Sequence, residues 1–405
     1  MERAIAHLNI VGFRAAVAAL ASPDLRGRPY VIAGGEGGRA LAWDVSPAGI
    51  REGLKPGMAL AAAERLVRNL PVIAPDPAAC ARVNGILDSI AARYAPAWQN
   101  DGAGNIYLDI TGTRRLFGPP ADCVCRIQNA IASSLAIEAA AAAATNKLVC
   151  KVASRTIRPE GLIEVRPGDE AGFLSHQDIS LLPGLGPSLM RTIRVTGFRE
   201  AGELAALSGA EAAALFGKKG ILLRDAAKGI DNAPVAAGTG RRVIEKQADF
   251  AEDVIDETVV RGALASLADH GGLEMRKDRL GAGALRLAVV YGDGVEARGD
   301  EKAKRLLVLD GDILAAAERL YKKTAERRVR IRSLCLSLTG LSPLGFEPDL
   351  FEPEYAGKQY RLQEALDSLQ GRYGAGTLMR GVVLAAANFR EGLRLLPGPA
   401  VHYGY

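Results

Sequence analysis

Two rhythms of apolar and polar positions run along the chain. Ala4 to Val11 is apolar and reads as a buried strand, and Phe13 to Leu20 reads as a helix broken by Pro23, Gly27 and Pro29. Tyr30 to Ala33 reads as a second strand, Gly34 to Gly38 and Gly53 to Gly57 as turns, and Ala59 to Arg68 as a helix. Ala78 to Tyr94 is a long amphipathic helix. Asn105 to Asp109 alternates like a strand and ends in the turn Thr111-Gly112-Thr113. Cys123 to Leu135 is helical again. Ile137 to Ala144 carries six consecutive Ala, which favour helix by propensity. Its place between two helical runs, the second being Lys147 to Ser154, suits a strand, and a strand is expected.

Leu182 to about Gly229 reads as short helices with Gly-punctuated turns. From Arg242 to Leu341 the order is strand, helix, strands, helix, strand. The helices are Glu257 to Leu267 and Ile313 to Arg327, and the strands include Leu285 to Tyr291 and Arg330 to Leu338. Ala233 to Thr239 reads as a linker. Beyond Pro343 come Pro- and acid-rich residues, then a helical segment from Gln359 to Arg372.

Composition sets outer bounds. The 405 residues hold 51 Lys+Arg against 46 Asp+Glu, with 48% hydrophobic and 24% charged residues, which argues against a disordered or fibrous chain. Five scattered Cys without a CxxC pair read as reduced thiols and not as a zinc site. The N-terminus lacks a signal-peptide layout, and the Ala-rich run from Ile131 to Ala144 is too short for a membrane span and contains Glu138. A soluble cytoplasmic protein is expected, with no membrane partner and no bound metal.

Charge is unevenly placed. The whole chain nets only +5, yet Arg319, Lys322, Lys323, Arg327, Arg328, Arg330 and Arg332 face a single acid, Glu326, within one short stretch. That stretch suits a phosphate-tracking surface, or a solvated helix end beside a strand. Leu182-Pro183-Gly184-Leu185-Gly186-Pro187 looks like a helix-hairpin-helix turn. Its glycines allow a tight turn, and the N–H groups opening the next helix would meet a DNA phosphate without reading bases. An ordinary Gly-rich turn is the alternative.

Ile106-Tyr107-Leu108-Asp109 resembles the palm strand of Y-family (translesion, DinB/UmuC-like) DNA polymerases, where an acidic pair precedes "AYLD". Pro23-Asp24-Leu25-Arg26-Gly27-Arg28-Pro29, Gly53 to Met58, Asn146 to Ser154, Arg158 to Gly161, the Pro183 hairpin, Phe216 to Gly220 with Lys228 to Asp231, and Asp249 to Asp253 resemble further motifs of that family, in its order, over residues 4–340. The resemblance implies an α+β right hand. Its parts would be palm (1–20 and 77–168), fingers (21–76), helical thumb (169–234), linker (235–241), little finger (242–341) and C-terminal tail (342–405). DNA-binding residues carried over are Gly184, Leu185, Gly186, Lys218 and Lys219 of the thumb, with the basic run of the little finger. Lys151 is carried over as a phosphate contact.

The sequence departs from the family where two Mg²⁺ ions are held. The three carboxylate positions are Asn9, Gly104 and Asn105, and the nucleotide-pocket positions are Arg14, Pro47 and Ile50. Two-metal phosphoryl transfer wants anionic oxygens. The expectation is therefore a non-enzyme of the polymerase fold that binds DNA and serves as an adaptor in damage tolerance or mutagenesis at the bacterial nucleoid, without a cofactor. Two alternatives stand beside it: an active translesion polymerase using Mg²⁺ and dNTP at a rearranged site, for which Asp44, Asp101 and Asp109 are the nearest acids, and a scaffold that does not bind DNA. Glu347-Pro348-Asp349-Leu350-Phe351 resembles a degraded sliding-clamp peptide with Leu350 and Phe351 as anchors, and a polymerase or recombinase is a further partner class.

Overall fold

The first apolar run becomes strand β1 (Ile5–Asn9), whose alternate residues serve two cores. A computed structural model describes residues 3–34, 40–185, 187–235, 243–344, 354–374, 377–385 and 393–397. Two compact units divide between residues 239 and 240.

In the first unit, β1 leads into α1 (Phe13–Ala21), then β2 (Val31–Gly34), β3 (Leu41–Val45), α2 (Pro47–Arg51), α3 (Leu60–Leu66) and β4 (Val72–Ile73). The small sheet runs β3-β2-β4. Next come α4 (Pro77–Tyr94), β5 (Ala97–Gly102), β6 (Asn105–Asp109), α5 (Arg114–Phe117), α6 (Pro120–Leu135), β7 (Ala140–Ala144), α7 (Lys147–Thr156) and β8 (Gly161–Glu164). These form a five-stranded sheet in the order β5-β6-β1-β7-β8. Ala6, Leu8 and Ile10 point into the core shared with α4 and α6, while Ile5 packs with residues of α7. The Ala run is the strand expected, fully buried between β1 and β8. Packing on both faces overrides helix propensity there, because small side chains let α6 and α7 approach.

Short helices follow: α8 (Glu170–Ser175), α9 (Pro187–Thr196), α10 (Ala201–Ala206), α11 (Gly209–Phe216) and α12 (Lys218–Ala227). They close around Leu174, Ile179, Leu182, Ile193, Leu204 and Leu223. Asn146 joins them to α7. Its Oδ1 accepts the Val149 N–H at 2.9 Å, and its Nδ2 donates to Gly229 O at 2.8 Å.

The second unit holds β9 (Val243–Val254), α13 (Glu257–Lys277), β10 (Leu280–Tyr291), β11 (Glu296–Leu307), α14 (Asp310–Thr324), β12 (Ile331–Pro343), α15 (Glu354–Tyr373), α16 (Gly381–Ala385) and β13 (Leu393–Pro397). Its sheet runs β11-β10-β12-β9-β13, with neighbours antiparallel. Residues of α13 and α14 cover one face. The expected stop of α13 at Leu267 is corrected: the helix continues to Lys277 through Gly271 and Gly272. Those glycines serve contact and not termination, since a Cβ at Gly272 would collide with the Asp310 carboxylate. Gly34, expected in a turn, ends β2 instead; the remainder of that expected turn, most of the linker at 235–241, and the clamp peptide with Leu350 and Phe351 lie outside the described residues.

Candidate functional site

Strand pairing brings the degenerate positions together. Asn9 ends β1 and lies opposite Asn105 on β6. Its Nδ2 donates to Asn105 Oδ1 at 2.7 Å, and its Oδ1 accepts from Arg158 Nε at 2.9 Å. A guanidinium thus sits against the amide where the family resemblance places a carboxylate. Gly104 is held in the hairpin between β5 and β6 with φ +77°, and Ile10 N donates to its carbonyl at 2.9 Å. A Cβ there would stand 2.8 Å from Ile10 Cβ and 2.9 Å from Phe13 Cδ2.

The neighbouring nucleotide-pocket positions are also remade. Gly12 opens α1 with φ +64°, and a Cβ there would lie 2.7 Å from Val45 O. Asp44 caps the helix: its Oδ2 accepts the Arg14 N–H at 2.8 Å, and its Oδ1 accepts the Val45 N–H at 3.0 Å. Burial raises the Asp44 carboxyl, opposed by those N–H groups. Pro47 sits in the first turn of α2, where Ser46 Oγ accepts the Gly49 N–H at 3.0 Å, and Ile50 is exposed. Asp109 Oδ1 accepts the Thr111 N–H at 3.0 Å, so its carboxylate closes the turn after β6.

Above β1 and β6 lies a cluster of cations. Lys147, Lys151, Arg155 and Arg158 recur at helical spacing along α7 and the turn after it. Lys147 Nζ donates to Gln99 Oε1 at 2.7 Å and stands 4.8 Å from the Tyr107 ring centroid; Lys151 Nζ stands 6.0 Å from the same ring. Gln99 in turn donates to Asp101. Burial, then repulsion from Arg155, pushes Lys151 down to about 8, with Asp101 opposing. His7 lies beneath, its Nδ1 2.7 Å from Ser154 Oγ, and burial followed by Lys151 holds it well below the usual imidazole range. Gln99, Lys147 and Arg158 belong to this site and were missed as site residues. The signal was the 147, 151, 155, 158 spacing; its target arrives only through antiparallel pairing.

In the helical region Gly184 takes φ +87° and opens the turn, Leu185 packs half-buried, and α9 begins beyond it; Gly186 lies outside the described residues. Lys218 and Lys219 open α12, the latter exposed. In the second unit the basic run finds acids from elsewhere in the sequence. Arg319 pairs with Glu301 at 2.8 Å, Lys323 with the same acid at 3.7 Å, and Arg327 with Asp293 at 2.7 Å. Arg332 reaches Asp253, and Arg330 donates to Asp253 O at 3.3 Å. Lys322 and Arg328 are exposed and make no ion pair among the described residues. The same holds for Lys302, Lys304 and Arg305 on edge strand β11.

Comparison with known proteins gives one pattern. The impB/mucB/samB family profile matches residues 8–155, and that family's C-terminal domain matches residues 241–348. A DNA polymerase IV of Desulfatibacillum aliphaticivorans is 27% identical over 93% of this chain and 96% of its own length. One from Halorhodospira halophila is 28% identical over 86% and 98%. Among solved structures, a Y-family DNA polymerase chimera superposes with TM-score 0.72 at 17% identity, covering 84% of this chain and all of the other. An insertion ternary complex of Dbh DNA polymerase gives 0.62 at 17% identity. The fold is therefore the right hand expected. The expectation of a non-enzyme is overturned by these relatives, which are named as polymerases.

Proposed function

Because the chain belongs to the impB/mucB/samB family of Y-family DNA polymerases, we propose that it works on primer–template DNA in translesion synthesis and damage tolerance. The observation that carries this is the row of exposed cations Lys302, Lys304, Arg305, Lys322 and Arg328, for which no acid among the described residues stands as ion-pair partner. Such cations displace counterions from phosphates without reading sequence. The Gly184 turn before α9 adds a second phosphate contact. The test is affinity for a primer–template duplex against salt concentration. Binding that weakens with salt, with a slope falling by about 0.9 per cation removed, supports the reading. Binding independent of salt, or unchanged when Lys302, Lys304 and Arg305 become Glu, sinks it.

Nucleotidyl transfer is the second part of the reading, favoured by the relatives. The family's two Mg²⁺ ions do not fit the side chains at Asn9, Gly104 and Asn105. The amide oxygen of Asn9 faces a guanidinium, and among the described residues no group of three or more His, Cys, Asp or Glu could hold a metal. Asp101 is the carboxylate placed beside Lys151 and Tyr107. Primer extension by the native chain, lost in Asp101→Asn, would assign the reaction to this cleft. An adaptor role with the sliding clamp rests on the sequence of Glu347 to Phe351 alone. Leu350→Ala with Phe351→Ala should abolish co-elution with the clamp.

A further inference from the structure

Surface helices usually dock through an apolar stripe and turn polar residues to water. Helix α15 is docked through polar residues. Its Asp367 pairs with Arg276 of α13 at 2.6 Å, and its Gln363 donates to Asp310 of α14 at 2.8 Å. Among the described residues, no apolar side chain of α15 joins the core of the second unit. Its apolar residues lie on a different flank. Leu362, Leu366, Leu369 and Tyr373 follow at steps of four, three and four residues, which sets them in one stripe along the helix. Leu362 is 61% exposed, Leu369 42% and Tyr373 65%, with Leu366 half-buried beside them. One exposed Leu needs no explanation, but an aligned row marks a surface built for contact. The stripe also has a charged border. At about 100° per residue, Lys358, Arg361 and Arg372 line the side of it turned away from Asp367. All three are exposed, and no acid among the described residues pairs with them; Arg361 Nε donates to Gly357 O at 3.3 Å within the same helix. Glu364 is the one exposed acid between Gly357 and Tyr373.

We propose that α15 is a docking helix, whose stripe of Leu362, Leu366, Leu369 and Tyr373 receives an acidic amphipathic helix of another protein, with carboxylates of that helix meeting Lys358, Arg361 and Arg372. The apolar seam supplies the attraction, and the cationic border selects the sign of the partner and repels a basic one. The Arg276–Asp367 clasp gains a second purpose here. It fixes which flank of α15 faces outward and presents the helix already ordered, which lowers the entropy lost on binding. From Leu362 to Tyr373 the seam is about 16 Å long, a length that suits a transient contact and not an obligate subunit. This docking needs neither DNA binding nor nucleotidyl transfer.

The test uses the full chain and two synthetic peptides of about 20 residues, long enough to be helical alone. Both carry Leu at the a and d positions of a heptad; one carries Glu at e and g, the other Lys. Fluorescence anisotropy should show saturable binding of the Glu peptide, about tenfold or more tighter than that of the Lys peptide. Leu362→Ser combined with Leu369→Ser should abolish it. Arg361→Glu combined with Arg372→Glu should invert the preference toward the Lys peptide, a result that non-specific adhesion does not give. Each variant should melt with the native chain, because these side chains belong to no core. Absence of binding by the native chain overturns the proposal. So does equal binding of the two peptides, or binding indifferent to the paired Ser changes. If sedimentation shows the native chain self-associating and the paired Ser changes abolish this, the occupant is a second copy and the proposal fails. If a single-stranded oligonucleotide displaces the Glu peptide at equal concentration, the border is a phosphate surface and the proposal also fails. The variant with Lys302, Lys304 and Arg305 changed to Glu should keep its affinity for the Glu peptide while losing duplex affinity. Failure of this surface is thereby distinguishable from failure of the DNA-binding reading.

Discussion

At the scale of single residues, the palm shows how one substitution constrains the next. Gly104 has φ +77° and sits against Ile10 and Phe13. Gly104→Asp should therefore destabilise the fold by about 1–3 kcal/mol, from strain and crowding together, as read by urea denaturation. Lys151 offers a second prediction. Its folded value near 8 lies below the ordinary lysine value, so the folded cleft sheds this proton before the unfolded chain does. By linkage, stability from this group rises with pH between about 8 and the unfolded value. The groups around it are Lys147, Arg155 and Arg158 from α7 and its end, Asp101 from β5, Tyr107 from β6 and His7 from β1, with His7 neutral throughout. Asn9, Gly104 and Asn105 were legible in the sequence because they fall inside motifs. Arg158 was not, since its partner Asn9 lies 149 positions away and meets it only in the folded sheet.

At the scale of elements, periodicity located most helices and strands, and the misses have local causes. The strands β3, β5 and β8 are short and mix polar with apolar residues, so no alternation announces them. Helix α15 was legible as a helix but not as a part of the second unit. Arg276 of α13 joins Asp310 at 2.7 Å and Asp367 of α15 at 2.6 Å, and Gln363 donates to Asp310 at 2.8 Å. The Arg276 side chain is only 10% exposed. Breaking one member of so buried a network leaves the others uncompensated. Arg276→Ala should cost about 3–5 kcal/mol, seen as a lowered denaturation midpoint and faster proteolysis near α15. A midpoint within error of the native chain would mean that α15 contributes nothing to the unit. This packing also argues that the helix itself is engaged at home.

At the scale of the whole molecule, net charge proves a poor guide and placement a good one. The +6 of residues 319–332 is answered in space by Glu301, Asp293 and Asp253, acids that the linear count assigns elsewhere. Charge left for a phosphate backbone lies instead on β11 and at Lys322 and Arg328. Charge-removing changes (Lys or Arg to Gln) at Lys302, Lys304 and Arg305 should reduce the salt slope of duplex binding more than the same changes at Arg327 and Arg332. Equal effects would show that the ion pairs open on contact with DNA. A mixed first sheet and an antiparallel second sheet backed by two helices follow from the family resemblance, whereas the strand order within each sheet and the pairing of charges do not.

The hairpin at Gly104 limits which side chains can stand beside the end of β1. A turn that depends on φ +77° and on an empty Cβ position accepts a carboxylate only if Ile10, Phe13 and the hairpin itself give way first. Exchange of Asn9 or Asn105 for the isosteric Asp adds no heavy atom, whereas any side chain at position 104 meets Ile10 and Phe13. Three carboxylates at these positions would therefore require coordinated changes in the hairpin and in the apolar residues packed on it.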